Sequence, residues 1–508
     1  MATSLAIRLL WAAGAPLSND ESYYWDWSRS MQLSYFDHPP GVAWLAWLAS
    51  RVCSGALAAR GAVVFVHLLG VWLMLRCSEL IKGARLDFAE LITLLVMTEL
   101  VPVFSFEGLL LLPDAGLLAA LAASLYCFLS AGKAFDLAER GKGGPWFWAI
   151  VGGLAIGLAG LFKYHAAPVA AGLGLGLLWC WGVHRWRQWL GWICICAAVA
   201  LVVAAPVLIW NAEHDWASVR YQGDHGFGGL SFSWLPALRV FFGQLLLLTP
   251  YVIVCSIKGP SRRSQSPLAR IPQAAFWPLF LLLEGLAFGK QMLPHWVAPA
   301  FWMMLPLLTL SAQRGLTWRF SLALSGVVTL ILPWVLVLAP LRQGLISAAK
   351  GRPGPLSELT LWQPLVETLV ADARLVDLLR LGAVAPSGPA NCPSSPLIAS
   401  LRWFWTSQLA FHLPGQPRVL SLDLTHPSAY DFRDDLAAFA GCPVLLIGDE
   451  RHFNPGQIQD ALAIDERIAV VVPSHLDTSI MVIKGHLRSA PELHLLRQRY
   501  ALKGGTHP

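Results

Sequence analysis

The sequence predicts a polytopic α-helical membrane protein that ends in a small α/β domain. Only 13% of the 508 residues are charged and 56% are hydrophobic, whereas soluble domains carry roughly 25% charged residues. Mean hydropathy is +0.55, and apolar segments recur at regular intervals over the first 340 residues. Beyond that point Pro, Ser, Asp and Arg become frequent, and short β-type runs alternate with helical ones.

The first apolar segment, residues 3–17, would make a helix of about 22 Å against a hydrocarbon core of roughly 30 Å. A cleaved signal peptide is one option, because small residues close the segment. No basic region precedes it, so we favour a short first transmembrane helix. With this helix the sequence predicts about eleven spans. The others lie near 60–80, 88–107, 114–131, 146–162, 166–183, 189–210, 235–257, 275–288, 294–311 and 317–339.

The loops between these spans separate into two alternating sets. Basic residues concentrate in short cytoplasmic loops, so the basic set is assigned to the cytoplasm. It comprises Lys82, Arg85, Lys133, Arg140, Lys142, Arg185, Arg187, Lys258, Arg262, Arg263, Arg270, Arg314 and Arg319. The other set alternates with the basic set and is therefore assigned to the external side. It holds most of the Asp, His and Lys–Tyr clusters.

The chain is predicted to have two domains. Residues 1–339 form the membrane domain, whose first external loop spans 18–58, and residues 340–508 form a soluble external domain. The second domain should contain strands at 419–424, 443–449, 468–473 and 481–486, with helices at 358–381 and 396–412. Cys392 and Cys442 lie in this domain; they either pair, if it is outside the cytosol, or remain free buried thiols.

Composition also excludes some classes of function. The net charge of +6 comes without a basic stripe or a readable motif, so no nucleic-acid partner is expected. The nine cysteines include no CxxC pair of metal-site spacing.

A polar stretch near the start, 18–48, interrupts the apolar sequence. It places the acid pair Asp20–Glu21 before aromatic residues that include Tyr24, and later Asp37–His38 before two prolines. Ionisable groups at a membrane boundary are costly and so are functional candidates. Asp20 could serve as a general base, or the acids could begin a helix as capping residues.

Further candidates occupy the other external loops. Asp37, His38, His214 and His225 offer donors that suit a divalent cation, although single histidines are more often structural. Asp114 follows Pro113 at a helix start, where a carboxylate is favourable without any function. Lys163 and Lys290 close apolar helices, where they could snorkel to the interface or bind a phosphate.

In order along the chain, these motifs resemble the polyprenyl-phosphate-dependent glycosyltransferases of the GT-C fold. That family includes bacterial relatives of dolichyl-phosphate-mannose–protein mannosyltransferases and the aminoarabinose transferases of lipid A. The matching features lie between residue 19 and about 300, with a further one at 409–424. They are DE with aromatics, YFDHPP, PDA, the KY pair, PVLIWNAEHDW with a later His, KQMLPHW, and LAFHLPGQPRVLSLDL.

The resemblance implies roles for individual residues. Asp20 would be the catalytic acid/base residue, with Glu21 and Asp114 as further catalytic acids. Lys163 would contact the phosphate, and the remaining donor contacts would be Tyr24, His38, Tyr164, Lys290 and His295. Asp37 and His225 would hold a divalent metal cation, if one is bound, and no organic cofactor is implied. His38 stands where the aminoarabinose transferases have Lys, as FDHP against FEKP.

The resemblance also implies a reaction. A sugar on undecaprenyl phosphate would move, with inversion, to an envelope acceptor such as lipid A, another glycolipid, a polysaccharide or a protein. The site would lie on the external face of a bacterial inner membrane, and membrane lipid would surround the chain. The main alternative is a transporter or flippase of lipid-linked saccharides, which should carry charged or broken-helix sites within its spans. A third alternative is a non-catalytic assembly protein.

Overall fold

A computed structural model describes residues 2–138, 144–229, 231–259, 266–312, 315–338, 340–341, 344, 355–380, 392, 395–423, 426–449, 455–471 and 479–489. The chain divides into two compact units, residues 1–14 with 32–335 and residues 15–31 with 336–508. Residues 15–31 thus group with the C-terminal part of the chain, whereas they were predicted to belong to the membrane domain.

The described residues before position 340 are mainly helical. The helices are α1 (Ala2–Gly14), α2 (Asn19–Trp27), α3 (Gly41–Ser50), α4 (Ala56–Lys82), α5 (Phe88–Leu100), α6 (Pro102–Glu107), α7 (Pro113–Ala138), α8 (Trp146–Gly160), α9 (Ala166–Trp181), α10 (Trp186–Val203), α11 (Ala205–Glu213), α12 (Ala217–Phe227), α13 (Trp234–Leu247), α14 (Thr249–Lys258), α15 (Arg270–Leu286), α16 (Ala298–Leu310), α17 (Leu316–Gly326) and α18 (Leu332–Val337). All except α2 begin in the first unit.

Over its described residues, every predicted span overlaps one helix or two to three consecutive helical segments. Within the described residues, four helices are long and apolar enough to cross a membrane, namely Ala56–Lys82, Pro113–Phe135, Val183–Val203 and Leu316–Val335. The α13–α14 pair, bent by 107°, would make a fifth. The number of eleven spans therefore stays a prediction.

Prolines explain where three predicted spans break. Pro102 opens α6 after Val101, which is extended as a residue before proline should be. Pro206 and Pro250 likewise occupy the first turns of α11 and α14, where their missing N–H has no helical partner to lose. At the break between α13 and α14 the chain bends by 107° inside an apolar run.

The first unit contains a largely buried ion cluster inside the predicted spans, where no site residue was predicted. Arg8 of α1 donates through Nη2 to Glu99 Oε2 of α5 at 2.9 Å. Ser4 Oγ donates to the same oxygen at 2.6 Å, and His67 Nε2 of α4 lies 3.3 Å from Glu99 Oε1. We call these four residues the Arg8 cluster. It ties α1 to α4 and α5 within the apolar part of the unit.

The second unit is an α/β unit. Its further helices are α19 (Pro355–Ala371), α20 (Val376–Arg380), α21 (Trp403–His412), α22 (Tyr430–Arg433) and α23 (Pro455–Ala461), and its strands are β1 (Leu397–Ser400), β2 (Val419–Ser421), β3 (Pro443–Asp449), β4 (Leu462–Val471) and β5 (Ser479–Leu487). The five strands form one sheet in the order β2-β1-β3-β5-β4. β1 is parallel to β2 and β3, and β5 is antiparallel to β3 and β4.

All four predicted strands overlap strands of this sheet, although residues 424, 472 and 473 of the predictions lie outside the described residues, and one strand, β1, was not predicted. The helix predicted at 396–412 is wrong over its first residues, because 397–400 form β1 and the helix begins at Trp403. The helix predicted at 358–381 breaks after Ala371, where Asp372 Oδ1 accepts from Arg374 N at 2.9 Å. Cys392 and Cys442 form a disulfide with a Cα–Cα distance of 5.4 Å, which decides between the two alternatives for this pair.

Candidate active site

The first unit contains a buried ion pair between two of the predicted site residues. Lys163 Nζ donates to both carboxylate oxygens of Asp114, at 2.9 and 2.8 Å. The side chains are 5% and 3% exposed. The residues lie 49 positions apart, one in the first turn of α7 and the other in the loop between α8 and α9. Such a bidentate pair fixes a cation among apolar helices.

The close approach of Phe162 to the first turns of α3 and α7 depends on glycine at two positions. A Cβ at Gly116 in α7 would lie 2.1 Å from the Phe162 ring, and one at Gly41 would lie 2.6 Å from the same ring. Gly41 N also donates to Leu161 O at 2.8 Å. Phe162 therefore fits between α3 and α7 and places the next residue, Lys163, beside Asp114.

Three histidines surround this pair. His38, His165 and His295 each interact electrostatically with Lys163 and Asp114. Burial, assisted by the positive charge of Lys163, lowers the pKa of His38 and of His165 to about 3. Both imidazoles are therefore neutral near pH 7, where they can donate or accept hydrogen bonds without adding charge. His165 was not among the predicted site residues.

A second carboxyl group, Glu107, lies near the Asp114–Lys163 pair. It is 2% exposed at the end of α6, and it interacts electrostatically with Asp114 and Lys163. Within the described part of the chain, neither of its carboxyl oxygens has a hydrogen-bond partner. Glu107 was not among the predicted site residues, because it lies at the end of the predicted apolar span 88–107.

Tyr164, the residue after Lys163, links the Asp114–Lys163 pair to the turn between α11 and α12. Its hydroxyl lies 2.9 Å from Ser218 Oγ in α12. The turn itself contains two consecutive left-handed residues, Asp215 with φ 52° and Trp216 with φ 58°. Such strained conformations persist where the surrounding structure holds them and are frequent at functional sites. Here Asn211 O accepts from Trp216 N at 2.7 Å.

The remaining predicted residues of the first unit lie around α12. Gln222 Nε2 donates to the Asp37 carbonyl at 2.7 Å, and Lys290 Nζ lies 3.5 Å from the Asp224 carbonyl. The side chain of His225 lies outside the described atoms. Among the described residues, no three His, Cys, Asp or Glu side chains are grouped as a metal ion would require.

The other predicted residues belong to the second unit. Ser18 caps α2 in a capping box, since Ser18 Oγ accepts from Glu21 N at 3.3 Å and Glu21 Oε2 accepts from Ser18 N at 3.0 Å. Glu21 is fully buried, whereas Asp20 is exposed. Tyr24 is 6% exposed and packs edge-on against Trp27 with ring centroids 4.9 Å apart, so its ring belongs to the core of this unit.

The comparison with known proteins identifies a match over the part of the chain that contains the Asp114–Lys163 pair. The family model described as dolichyl-phosphate-mannose-protein mannosyltransferase matches residues 37–210, the range that holds Asp114 and Lys163. The lipid A galacturonosyltransferase RgtD of Rhizobium johnstonii is 26% identical over 329 residues. The match covers 62% of this chain and 65% of that relative, which is just under two thirds of the relative's length.

Solved structures extend the likeness over nearly the whole fold. ArnT from Cupriavidus metallidurans, solved both in the apo state and bound to undecaprenyl phosphate, superposes with a TM-score of 0.60. The match covers 95% of this chain and 96% of ArnT at 16% sequence identity. The multi-pass membrane class predicted from composition and the GT-C resemblance predicted from the motifs are thereby confirmed. The chain has the fold of ArnT, a GT-C fold, and its residues 37–210 match the family model described as dolichyl-phosphate-mannose-protein mannosyltransferase.

Proposed function

We propose that this protein is an inverting membrane glycosyltransferase that moves a sugar from a polyprenyl-phosphate donor to an envelope acceptor. The observation that carries the proposal is the buried Asp114–Lys163 pair. It lies within the family-matched residues and is surrounded by neutral histidines. A fixed cation in apolar surroundings is the group that stabilises the charge developing on a leaving phosphate.

The two acids of α2 differ in their ability to act as a base. Glu21 is fully buried, and its carboxylate accepts the hydrogen bond from Ser18 N that completes the cap. Asp20 is exposed in the first turn of the same helix. We therefore assign the general base to Asp20 and a structural role to Glu21. General-base assistance of this kind contributes roughly 10²–10⁴-fold to a rate.

The reaction then balances without a further reactant. The acceptor oxygen forms a bond to the anomeric carbon while the bond from that carbon to the phosphate oxygen breaks. The polyprenyl phosphate leaves with the electron pair, and the hydroxyl proton passes to Asp20. Attack opposite the phosphate inverts the anomeric centre. Lys163 stabilises the leaving phosphate, and the side chains of His38, Tyr164, Lys290 and His295 are the further donor contacts.

The relatives suggest which substrates to test first. RgtD is described as a lipid A galacturonosyltransferase, and ArnT was solved with undecaprenyl phosphate. We therefore propose undecaprenyl-phosphate galacturonic acid as the first donor and lipid A as the first acceptor.

The disulfide supports an external position for the second unit. Disulfides persist in oxidising compartments such as the bacterial periplasm, and Cys392 and Cys442 are paired. We propose an inner-membrane protein whose active site and C-terminal unit face the periplasm. Thiol alkylation of the intact protein should leave these two cysteines unlabelled until a reductant is added. Free thiols at both positions would argue for the opposite orientation.

A divalent cation at Asp37 and His225 remains a proposal from the family resemblance. The described residues supply fewer than three grouped donors, so no step above depends on a metal. Transfer measured with EDTA, and again after Mg²⁺ or Mn²⁺ is restored, tests this point. Loss with EDTA and recovery with the metal would support the site.

The decisive experiment measures transfer of label from radiolabelled undecaprenyl-phosphate sugars in membranes that contain wild-type protein, Asp20→Asn or Glu21→Gln. We expect wild type to label an envelope acceptor, Asp20→Asn to lose at least about 100-fold in rate, and Glu21→Gln to keep most of it, since Gln also completes a capping box. Wild type that moves labelled lipid between leaflets without transfer would instead identify a transporter. Full activity of Asp20→Asn would remove Asp20 as the base.

A further inference from the structure

Glu107 is a buried carboxyl group that fold stability does not explain. It is 2% exposed, and within the described residues both carboxyl oxygens lack hydrogen-bond partners. An unsatisfied buried polar group destabilises a fold, and an unpaired buried charge destabilises it far more. A leucine of similar size would avoid this cost. The presence of a carboxyl group therefore calls for a chemical reason.

Charge neutrality determines the state of Glu107. Lys163 already binds both oxygens of Asp114, so this ion pair is neutral by itself. Glu107 interacts with both members of the pair, and a second carboxylate would leave the cluster with a net negative charge among apolar helices. Two neighbouring carboxyl groups in such a setting share one proton. The proton resides on Glu107, because Asp114 is the carboxylate that Lys163 binds.

Two titratable members of the Arg8 cluster also lie beside the backbone next to Glu107. Arg8 Nη1 donates to the Ser105 carbonyl, two residues before Glu107, at 3.0 Å. The His67 ring lies against Gly108, where a Cβ would approach it within 2.4 Å. Both contacts hold the backbone on either side of Glu107. Arg8 and His67 belong to α1 and α4, so the backbone around Glu107 is held from two helices.

We propose that Glu107 is the protonated partner of Asp114, and that its O–H replaces Lys163 at Asp114 when Lys163 binds the phosphate of the lipid-linked donor. The inference rests on the proposed function. Lys163 has to break its hydrogen bonds to Asp114 before it can donate all of its N–H groups to a phosphate. The Asp114 carboxylate would then be left without a partner among apolar helices. A hydrogen bond from Glu107 removes that obstacle. The proton stays on Glu107 throughout, so no bond to hydrogen is broken.

Two substitutions separate this role from a structural one. Glu107→Leu removes the unsatisfied carboxyl group, so we expect it to raise the thermal midpoint in detergent while it weakens binding of undecaprenyl phosphate by at least about tenfold. Glu107→Gln retains an N–H donor for Asp114 and should weaken binding less. A residue needed only for folding would show the opposite result, in which Glu107→Leu lowers the midpoint and binding in parallel.

The pH dependence and the infrared spectrum test the proton directly. Wild-type transfer should fall as the pH rises and Glu107 loses its proton, and Glu107→Gln should lack this alkaline fall because its amide does not titrate. The carbonyl band of a protonated carboxylic acid should disappear in Glu107→Gln and remain in Glu213→Gln, whose side chain is exposed. An alkaline fall that persists in Glu107→Gln, or an unchanged carbonyl band, would overturn the proposal.

Failure of this inference is distinguishable from failure of the proposed function. Wild type that transfers no sugar from any polyprenyl-phosphate donor removes the function itself. Active wild type together with a Glu107→Leu variant that binds undecaprenyl phosphate equally well removes only the role of Glu107.

Discussion

Lys163 donates hydrogen bonds to both carboxylate oxygens of Asp114, and both side chains are at least 95% buried. The pair joins the first turn of α7 to the loop before α9. It is at once a structural link between two helices and the main fixed charge of the candidate site. Substitutions here should therefore affect folding and transfer together.

The first prediction concerns the two members of this pair. Asp114→Asn or Lys163→Met alone should lower the free energy of unfolding by about 3–5 kcal/mol, because each leaves a buried charge without its partner. The double variant should lose clearly less than the sum. Thermal unfolding in detergent micelles measures this, with half-buried Lys290→Met as the control. Strictly additive losses would show that the two side chains do not interact.

The second prediction concerns the glycine beneath Phe162. A methyl group at Gly116 would meet the ring at 2.1 Å, so Gly116→Ala should displace Phe162 and with it Lys163. We expect a loss of about 1–3 kcal/mol from overpacking and a larger loss of transfer. Gly160→Ala is the matched control, since nothing lies within 4 Å of its Cβ position. Equal behaviour of the two variants would contradict the packing described here.

The third prediction concerns pH. His38 and His165 have their pKa lowered to about 3 in the folded protein, against about 6.5 in the unfolded chain. Above pH 6.5 both states are neutral and the histidines cause no pH dependence. As the pH falls from 6.5 toward 3, only the unfolded state gains the proton, so stability is lost by up to about 1.4 kcal/mol per pH unit for each histidine.

Thermal midpoints measured between pH 7.5 and pH 5 test this dependence. The variant His165→Gln should flatten the acid-side decrease, because one titrating group is gone. His184→Asn, on the exposed 3-10 turn before α10, should leave the slope as in wild type. A slope that is the same in all three proteins would contradict the prediction.

The fourth prediction concerns an ion pair in the second unit. Arg433 Nη1 donates to Asp26 Oδ2 at 2.6 Å, with side chains 8% and 2% exposed. Asp26→Asn should destabilise this unit by about 3–5 kcal/mol and make residues 15–31 sensitive to limited proteolysis. Arg29 also binds Asp26, but it is 30% exposed, so Arg29→Gln should cost at most about 1 kcal/mol. Similar digestion of both variants would argue against this anchoring.

Much of the fold follows from the sequence because hydrophobicity determines it. The spans were located by length and polarity, and β3 was predicted at its observed bounds, 443–449. β1 was not recognised, since a four-residue apolar run beside a helix has no periodicity of its own. Pro102, Pro206 and Pro250 indicate the three helix breaks in the sequence. Each span was nevertheless predicted as continuous, because its hydropathy is high on both sides of the proline.

The candidate site was predictable only in part. Asp114 and Lys163 were identified separately, each with a plausible structural explanation, and nothing local to either residue shows that they pair. Glu107 and the Arg8 cluster were invisible because single ionisable residues inside apolar runs leave the average hydropathy high. The roles of Asp20 and Glu21 separate only when the cap at Ser18 is known. Long-range packing, which pattern reading does not capture, decides all of these points.

The contact between Asp26 and Arg433 spans 407 residues of chain. During biosynthesis α2 is therefore made early. The residues that cover its polar and aromatic face belong to the last fifth of the protein and are made much later. Contacts of such sequence separation form late, because a long loop must close first. In that interval the residues around Asp26 are exposed to proteases and to other nascent chains. The ion pair of α2 can therefore form only after the chain has been synthesised at least as far as Arg433.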